Sequence, residues 1–144
     1  MDRSFKSAWR PLAAAMAFTM LGAFSATAMG ADIKDTLSGA NEVPPVTTAA
    51  AGSGTITVGA DMAVSGSVTT TGVAGTAAHI HEAAAGKNGP VIVPMTKSGD
   101  NMWVVVAGAK LTEAQMASLT AGNLYVNVHS AANPGGELRG QLAP

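Results

Sequence analysis

Short runs of alternating apolar and polar residues recur between residues 33 and 142, and Gly, Pro and Asp residues separate them. A period of two is typical of β-strands that bury one face. Many short strands at this spacing indicate an all-β sandwich or barrel. The predicted strands lie near Ile33–Ser38, Gly54–Val58, Met62–Thr70, Thr76–Glu82, Val91–Met95, Met102–Ala107, Asn123–Ser130 and Glu137–Leu142.

One short helix interrupts this β pattern at residues 112–121. Thr112 with Gln115 three residues later forms a capping box at its start, and Gly122 supplies its C-terminal stop. Two segments are predicted to lie outside the strands. Residues 41–51 contain two consecutive prolines and form an edge segment or a loop, because proline cannot donate to a β-ladder. Residues 83–90 form a glycine-containing loop directly after a strand.

The first 28 residues differ from the rest and are typical of an export signal. Three basic residues precede an apolar run at 11–24, and Ala26 and Ala28 supply the small side chains that signal peptidase accepts. The apolar run would span about 21 Å as a helix, short of a hydrocarbon core of about 30 Å, which disfavours a transmembrane anchor. We expect cleavage between residues 28 and 31 and a periplasmic or secreted domain without a stable membrane anchor.

Charge and cysteine content narrow the function classes. The 144 residues carry eight Lys and Arg against nine Asp and Glu, so the chain has no basic footprint for nucleic acid. The complete lack of cysteine excludes a disulfide framework, a thiolate metal site and a cysteine nucleophile. The sequence also contains no nucleophile-elbow motif, phosphate loop or calcium loop, so we predict no catalytic or organic-cofactor-binding residues. These observations favour a non-enzyme without deciding the matter.

Three histidines are the strongest candidates for chemistry. His79 and His81 flank Ile80, and on a strand residues two apart point to the same face. His129 ends the run 124–129, in which Leu, Val and Val take the opposite positions. All three imidazoles are therefore predicted on the face away from the core. If the two strands are neighbours, the three can meet at one metal ion, about 2.0–2.1 Å from each nitrogen.

Imidazole ligation without thiolate suits copper or zinc, and we favour copper with zinc as the alternative. The competing interpretation is that the histidines lie at the surface or form a structural hydrogen-bond cluster. Glu137 and Arg139 share one face of the last predicted strand and also allow two interpretations. They form a surface ion pair of little energetic value, or Arg139 lies beside the histidines and raises the local positive potential toward a small anion.

Four blocks of sequence resemble the CHRD domain, which is named from chordin and is widespread in exported bacterial proteins. The blocks are LSGANEVPPV at 37–46, AHIH at 78–81 with the loop 86–90, YVNVH at 125–129 and PGGELRGQL at 134–142. They occur in the expected order and cover roughly residues 33–142, essentially everything after the signal segment. The resemblance implies an exported single-domain protein. It implies no defined biochemical activity.

A looser likeness connects His79, His81, His129 and Arg139 with copper/zinc superoxide dismutases, which carry an HxH strand, a later histidine and an arginine near copper in the same order. This likeness implies a Greek-key, immunoglobulin-like or dismutase-like β-sandwich of seven to eight strands. A fourth, bridging histidine, an evident zinc loop and the disulfide are missing. Three functions therefore stay open: a copper-binding protein, a non-catalytic interaction module with an unidentified protein partner, and a small dismutase-like redox enzyme.

Overall fold

A computed structural model describes residues 30–144, so the predicted signal at residues 1–28 lies outside the described residues. Every predicted strand overlaps an observed one, and the largest shift is in the second strand, which begins at Ala51, three residues earlier than predicted. The elements in chain order are β1 (Ala31–Ser38), a 3₁₀ turn (Gly39–Asn41), β2 (Ala51–Val58), β3 (Val64–Thr71), β4 (Gly75–Glu82), β5 (Val91–Lys97), β6 (Met102–Val105), α1 (Glu113–Thr120), β7 (Leu124–Ser130) and β8 (Leu138–Leu142).

The eight strands hydrogen-bond in the order β1-β2-β3-β6-β5-β4-β7-β8 and close into a barrel. β7 returns beside β4 after the meander β4-β5-β6, which is a Greek-key arrangement. The prediction of an all-β protein with eight strands and one short helix is confirmed. The two separate sheets of a sandwich are not formed, because β3 pairs with β6 and Ser38 of β1 pairs with Arg139 of β8, so the ladder continues around the ring.

The interior of the barrel is packed with branched aliphatic side chains and one tryptophan. Ile80 of β4 and Val126 of β7 point inward, as the alternation predicts, and both are buried. Trp103 packs directly on the β4 backbone, where a Cβ at Gly75 would lie 2.9 Å from the indole ring. The buried apolar residues include Ile33, Leu37, Ile56, Val68, Ile80, Val93, Trp103, Leu124, Val126, Val128, Leu138 and Leu142.

The predicted helix is present and begins as its capping box requires. The Gln115 N–H donates to the Thr112 hydroxyl over 3.2 Å, and the Thr112 N–H donates to the Gln115 side-chain oxygen over 2.9 Å. Gly122 follows the helix with φ +76°, a conformation that glycine adopts without strain. The helix connects β6 to β7 and buries Leu119. No helix within residues 30–144 is long and apolar enough to cross a membrane.

Two loops cover the outer face of β4, β7 and β8. The first, residues 42–50, contains the two prolines, and its irregular backbone agrees with the predicted loop at 41–51. The second is the loop at 83–90, and the Asn88 amide joins the two by donating to the Val43 carbonyl over 2.8 Å. Tyr125 and Asn127 on the outer face of β7 are therefore as buried as Val126 on its inner face. The candidate site lies within this covered polar layer.

Candidate metal centre

β4 and β7 bring the three histidines together on the outer face of the barrel. The strands are antiparallel, with His79 opposite Asn127, His81 opposite Tyr125 and His129 opposite Ala77. The ring centroids of His79 and His129 are 5.0 Å apart, and that of His81 lies 5.6 and 5.9 Å from them. One nitrogen from each ring lies within 4.8 Å of the other two. The strands are thus neighbours and the three rings share one face, as the alternation predicts.

Backbone carbonyls fix the tautomers of two of the three rings. The Nδ1 atom of His81 lies 2.9 Å from the Gly89 carbonyl oxygen, and that of His129 lies 3.0 Å from the Pro134 carbonyl oxygen. A carbonyl oxygen can only accept, so each Nδ1 carries the proton and each Nε2 presents a lone pair. Metal-binding histidines are typically oriented by such a bond from the second ring nitrogen.

The Nε2 atoms of these two rings differ in their partners. His81 Nε2 is buried and has no hydrogen-bond partner among residues 30–144. His129 Nε2 lies 3.1 Å from His79 Nδ1, so without a metal His79 donates its Nδ1 proton to His129. Two ligand atoms at that separation, each about 2.05 Å from one ion, would subtend about 100° at it, which is close to tetrahedral.

Coordination by all three rings needs a closing movement. Two ligands that each lie about 2.1 Å from one ion are about 3.4 Å apart at a tetrahedral angle and can never be more than about 4.2 Å apart. The nitrogens of the cluster lie within 4.8 Å of one another, so the widest pair would have to approach by up to about 1.4 Å for a tetrahedral arrangement. His79 and His129 are partly exposed while His81 is buried, which leaves the first two rings the freedom to move.

The surroundings of His79 and His81 favour the neutral form of these two rings. Burial lowers the pKa of His79, and its neighbours His129 and His81 lower it further. Burial also lowers the pKa of His81, although the Gly89 carbonyl partly opposes this by accepting the Nδ1 proton. The charges of His129 and Arg139 add to the lowering. A neutral imidazole is the form that binds a metal, so His79 and His81 need little deprotonation near neutral pH.

Arg139 is near the site, but it is neither a surface residue nor the ion-pair partner of Glu137. Only 1% of Arg139 is exposed, and its guanidinium carbon lies 3.5 Å above the centre of the Tyr125 ring. It donates to the carbonyls of Lys87 over 2.7 Å and Ala84 over 3.0 Å. The surface ion-pair interpretation is wrong because the loop at 83–90 covers Arg139 and supplies its acceptors.

Glu137 is held by hydroxyl groups instead. The Thr48 hydroxyl donates to one carboxylate oxygen over 2.8 Å, and the Ser130 hydroxyl donates to the other. These bonds lower the pKa of Glu137, so it stays ionised. Its carboxylate anchors the loop at 42–50 and the end of β7, and it does not contact the histidines directly.

Several residues of the site carry no distinct sequence signal. Tyr125 stacks on His81 with centroids 4.9 Å apart and planes inclined by 10°. The alternation of β7 predicts that Tyr125 lies on the same face as the histidines. A single aromatic residue at such a position does not distinguish a functional site from a surface that a loop simply covers. Glu42 accepts a hydrogen bond from the Asn127 amide, and burial raises the pKa of Glu42. Its contact depends on how the loop at 42–50 folds back, which no periodicity reveals.

The comparisons with known proteins agree with the blocks of sequence described above. A family model for the CHRD domain matches residues 33–142. The chain belongs to the CHRD domain family. The matched region of this CHRD domain contains the three histidines, both covering loops and Arg139. Neither the curated proteins nor the solved structures contain a match to the chain, so the likeness to superoxide dismutases stays a prediction.

Proposed function

We propose that this CHRD domain binds one transition-metal ion, copper in the first place, through His79, His81 and His129. The observation that carries the proposal is the buried Nε2 atom of His81, which has no hydrogen-bond partner in the described part of the chain although its ring belongs to the cluster. A buried acceptor left unpaired costs about 1–3 kcal/mol. A metal bond would offset this cost, whereas a purely structural cluster leaves it in place.

The ligand chemistry favours copper over zinc. Three imidazoles without thiolate suit both ions, and a given nitrogen site binds Cu(II) more tightly than Zn(II) in the general order of stability. Three protein ligands leave a fourth position for water or another small donor. The partial exposure of His79 and His129 supports an ion that can be taken up and released, so we assign the site to metal binding and handling.

We infer that the domain acts after export, in the periplasm or outside the cell. The support is the basic start, the apolar run and the small residues at 26 and 28, which together are typical of a cleaved signal. The mature chain would carry a net charge of about −3 and no cysteine, so histidine nitrogen would be its principal metal ligand.

One observation favours the interaction module as a second candidate. The His79–His129 hydrogen bond and the two carbonyl bonds occupy four ring nitrogens without any metal. In that case the histidines only fasten the loops, and a protein partner would use the groove of about 560 Å³ between residues 42–47 and 132–136. No contact favours the dismutase-like enzyme, because the Arg139 guanidinium is bound to carbonyls beneath a loop.

Copper uptake by the purified mature domain tests the proposal. We expect one copper per chain by metal analysis and a rise in melting temperature on adding Cu(II), since a ligand at about 100 times its Kd stabilises the native state by about 2.7 kcal/mol. His129→Ala should weaken uptake at least about tenfold. Met102→Ala removes a partly exposed thioether outside the cluster and is the matched control.

The outcomes separate the two candidates. Absence of bound metal in the wild type, with no thermal shift on adding Cu(II) or Zn(II), would refute the metal site. A protein partner whose binding survives replacement of all three histidines would then support the interaction module. Equal loss of copper binding in His129→Ala and Met102→Ala would also count against the proposed ligand set.

A further inference from the structure

Arg139 is a buried cation that forms no salt bridge, although the charge of Arg139 lowers the pKa of the nearby buried Glu42. Its side chain is 1% exposed, and no carboxylate in the described part of the chain forms a salt bridge with it. Its partners are neutral: two loop carbonyls and the Gln141 side-chain oxygen at 3.0 Å. Burying a charge in this way is costly, and an apolar side chain of similar size is often as stable. A contribution to stability therefore does not by itself explain why position 139 is an arginine.

The guanidinium fixes the turn at the start of the loop at 83–90. Ala84 and Lys87 form this turn, in which the Lys87 N–H donates to the Ala84 carbonyl over 3.1 Å. The same two residues offer their carbonyls to two different nitrogens of Arg139. A planar guanidinium presents its donors in a rigid fork, so both carbonyls are held in one relative orientation. Lysine would provide the charge without this geometry.

The far end of the same loop holds His81. The Gly89 carbonyl accepts the Nδ1 proton of His81, and the Gly89 N–H donates to the Tyr125 hydroxyl over 3.1 Å. A Cβ at Gly89 would lie 1.9 Å from the Glu82 carbonyl oxygen, so the backbone is pressed against β4. This close approach brings the Gly89 carbonyl to the His81 ring, where its bond to Nδ1 sets the tautomer and orients the ring.

Tyr125 provides a second connection between Arg139 and His81. Its ring has the guanidinium at 3.5 Å on one side and the His81 imidazole stacked at 4.9 Å on the other. The three planar groups come from β8, β7 and β4, three adjacent strands of the barrel. Arg139 thus reaches His81 both through the loop and through the aromatic ring.

We propose that Arg139 is a positioning residue for the histidine site, which holds the loop at 83–90 so that Gly89 keeps His81 Nε2 directed at the cluster. The metal-binding consequence rests on the proposed function. The orientation of His81 in the metal-free protein does not, because the bond from Nδ1 to Gly89 is already formed without a metal.

The test compares Arg139→Met, Arg139→Lys and Tyr125→Phe with the wild type. Tyr125→Phe removes only the hydroxyl that accepts from Gly89 and keeps the ring between its neighbours. Lys97→Met is the matched control, because Lys97 also lies near an aromatic ring and donates to a carbonyl, but on β5 beside Trp103. The readouts are the ¹⁵N chemical shifts of the His81 ring in metal-free protein, the Kd for Cu(II) and the melting temperature.

In the wild type and in Lys97→Met we expect His81 to carry its proton on Nδ1. Both Arg139 variants should show a mixture of the two tautomers and at least about a tenfold weaker Kd for Cu(II), in the range typical of lost outer-shell bonds to a metal ligand. Tyr125→Phe should show a smaller shift in the same direction. Because Arg139→Lys retains the charge, its failure to rescue the tautomer would identify the fork geometry as the cause.

The results that would overturn the proposal are distinct from those that would overturn the metal site. Folded Arg139 variants with an unchanged His81 tautomer, and a Kd within about twofold of wild type, would refute the positioning role. If Arg139→Met does not fold, an unchanged tautomer in Arg139→Lys and Tyr125→Phe refutes it equally. A wild type that binds no copper, together with a mixed tautomer in the variants, would refute the metal site and retain the positioning role.

Discussion

Asp35 is an acidic side chain inside the barrel, and its burial makes the stability of the fold depend on pH. It lies on the inner face of β1 between Ile33 and Leu37 and is 6% exposed. Its Oδ2 has no hydrogen-bond partner in the described part of the chain. It occupies the space beside Gly140, where a Cβ would lie 2.3 Å from Oδ1. Burial raises the pKa of Asp35 from 3.8 to about 6, against a smaller opposing effect of the Thr36 N–H.

The direction of the effect follows from proton binding. Between about pH 4 and pH 6 the folded protein binds more protons at Asp35 than the unfolded chain does, so the free energy of unfolding falls as pH rises. The contribution of Asp35 is fully present below its unfolded pKa and is lost as pH rises through the folded value. A gap of about two pKa units corresponds to about 3 kcal/mol at neutral pH.

Asp35→Asn removes this titration. We expect the difference in unfolding free energy between Asp35→Asn and the wild type to shift by about 3 kcal/mol in favour of the variant between about pH 4 and pH 7. The amide adds a constant offset, because its own hydrogen bonds also change, but this offset does not depend on pH. Urea unfolding at several pH values measures the difference, and Asp32→Asn on the exposed face of the same strand is the matched control.

Other groups also contribute to the pH dependence of stability, so the contribution of Asp35 is measured as the difference between Asp35→Asn and the wild type. The raised pKa of Glu42 acts in the same direction as that of Asp35. The lowered pKa values of His79 and His81 act oppositely, because stability is then lost as pH falls. These contributions cancel in the difference between Asp35→Asn and the wild type. A difference that stays constant with pH, or an equal change in Asp32→Asn, would refute the buried-carboxyl explanation.

Three further predictions concern separate parts of the molecule. Zinc binding should move the His79 proton from Nδ1 to Nε2, because Nδ1 is the atom that faces His129. The ¹⁵N spectrum of the His79 ring would detect this move. A proton that stayed on Nδ1 would exclude Nδ1 as a metal ligand. Gly140→Ala should lower the free energy of unfolding by about 1–3 kcal/mol through overpacking against Asp35, and Asp35→Ala in the same chain should recover part of the loss. Thr112→Ala should lower the free energy of unfolding by about 1 kcal/mol through loss of the helix cap, and an unchanged urea midpoint would refute the role of the capping box.

The phases of β4 and β7 could be predicted from the sequence, and with them the shared face of the histidines. β7 alternates over the six residues 124–129 and β4 over the four residues 78–81, with Ile80 and Val126 as inward markers. Burial of one face determines the direction of every side chain on a strand, because a shift by one residue would expose the whole apolar set. To predict that the three histidines meet, the sequence required only one further condition, that β4 and β7 be neighbouring strands, and they are.

The closure of the barrel and the covering of its outer face could not be predicted in the same way. Closure depends on the pairing of β3 with β6 and on the contact between Ser38 and Arg139, which join strands far apart in the sequence. Alternation is equally compatible with a sandwich. The burial of Arg139 and Glu42 depends on how the loops at 83–90 and 42–50 fold over the barrel, and these loops have no periodicity from which their path could be predicted.

The two buried aromatic side chains of the domain give it separate built-in optical probes. Tyr125 is the single tyrosine of the chain and lies against His81, so its fluorescence should respond to a paramagnetic ion at the histidines. Trp103 lies in the barrel interior against the β4 backbone, so its emission should report the loss of the core. Once residues 1–28 are removed, Trp103 is the remaining tryptophan. Occupancy of the site and unfolding of the barrel can therefore be followed by two emission signals in one unlabelled sample.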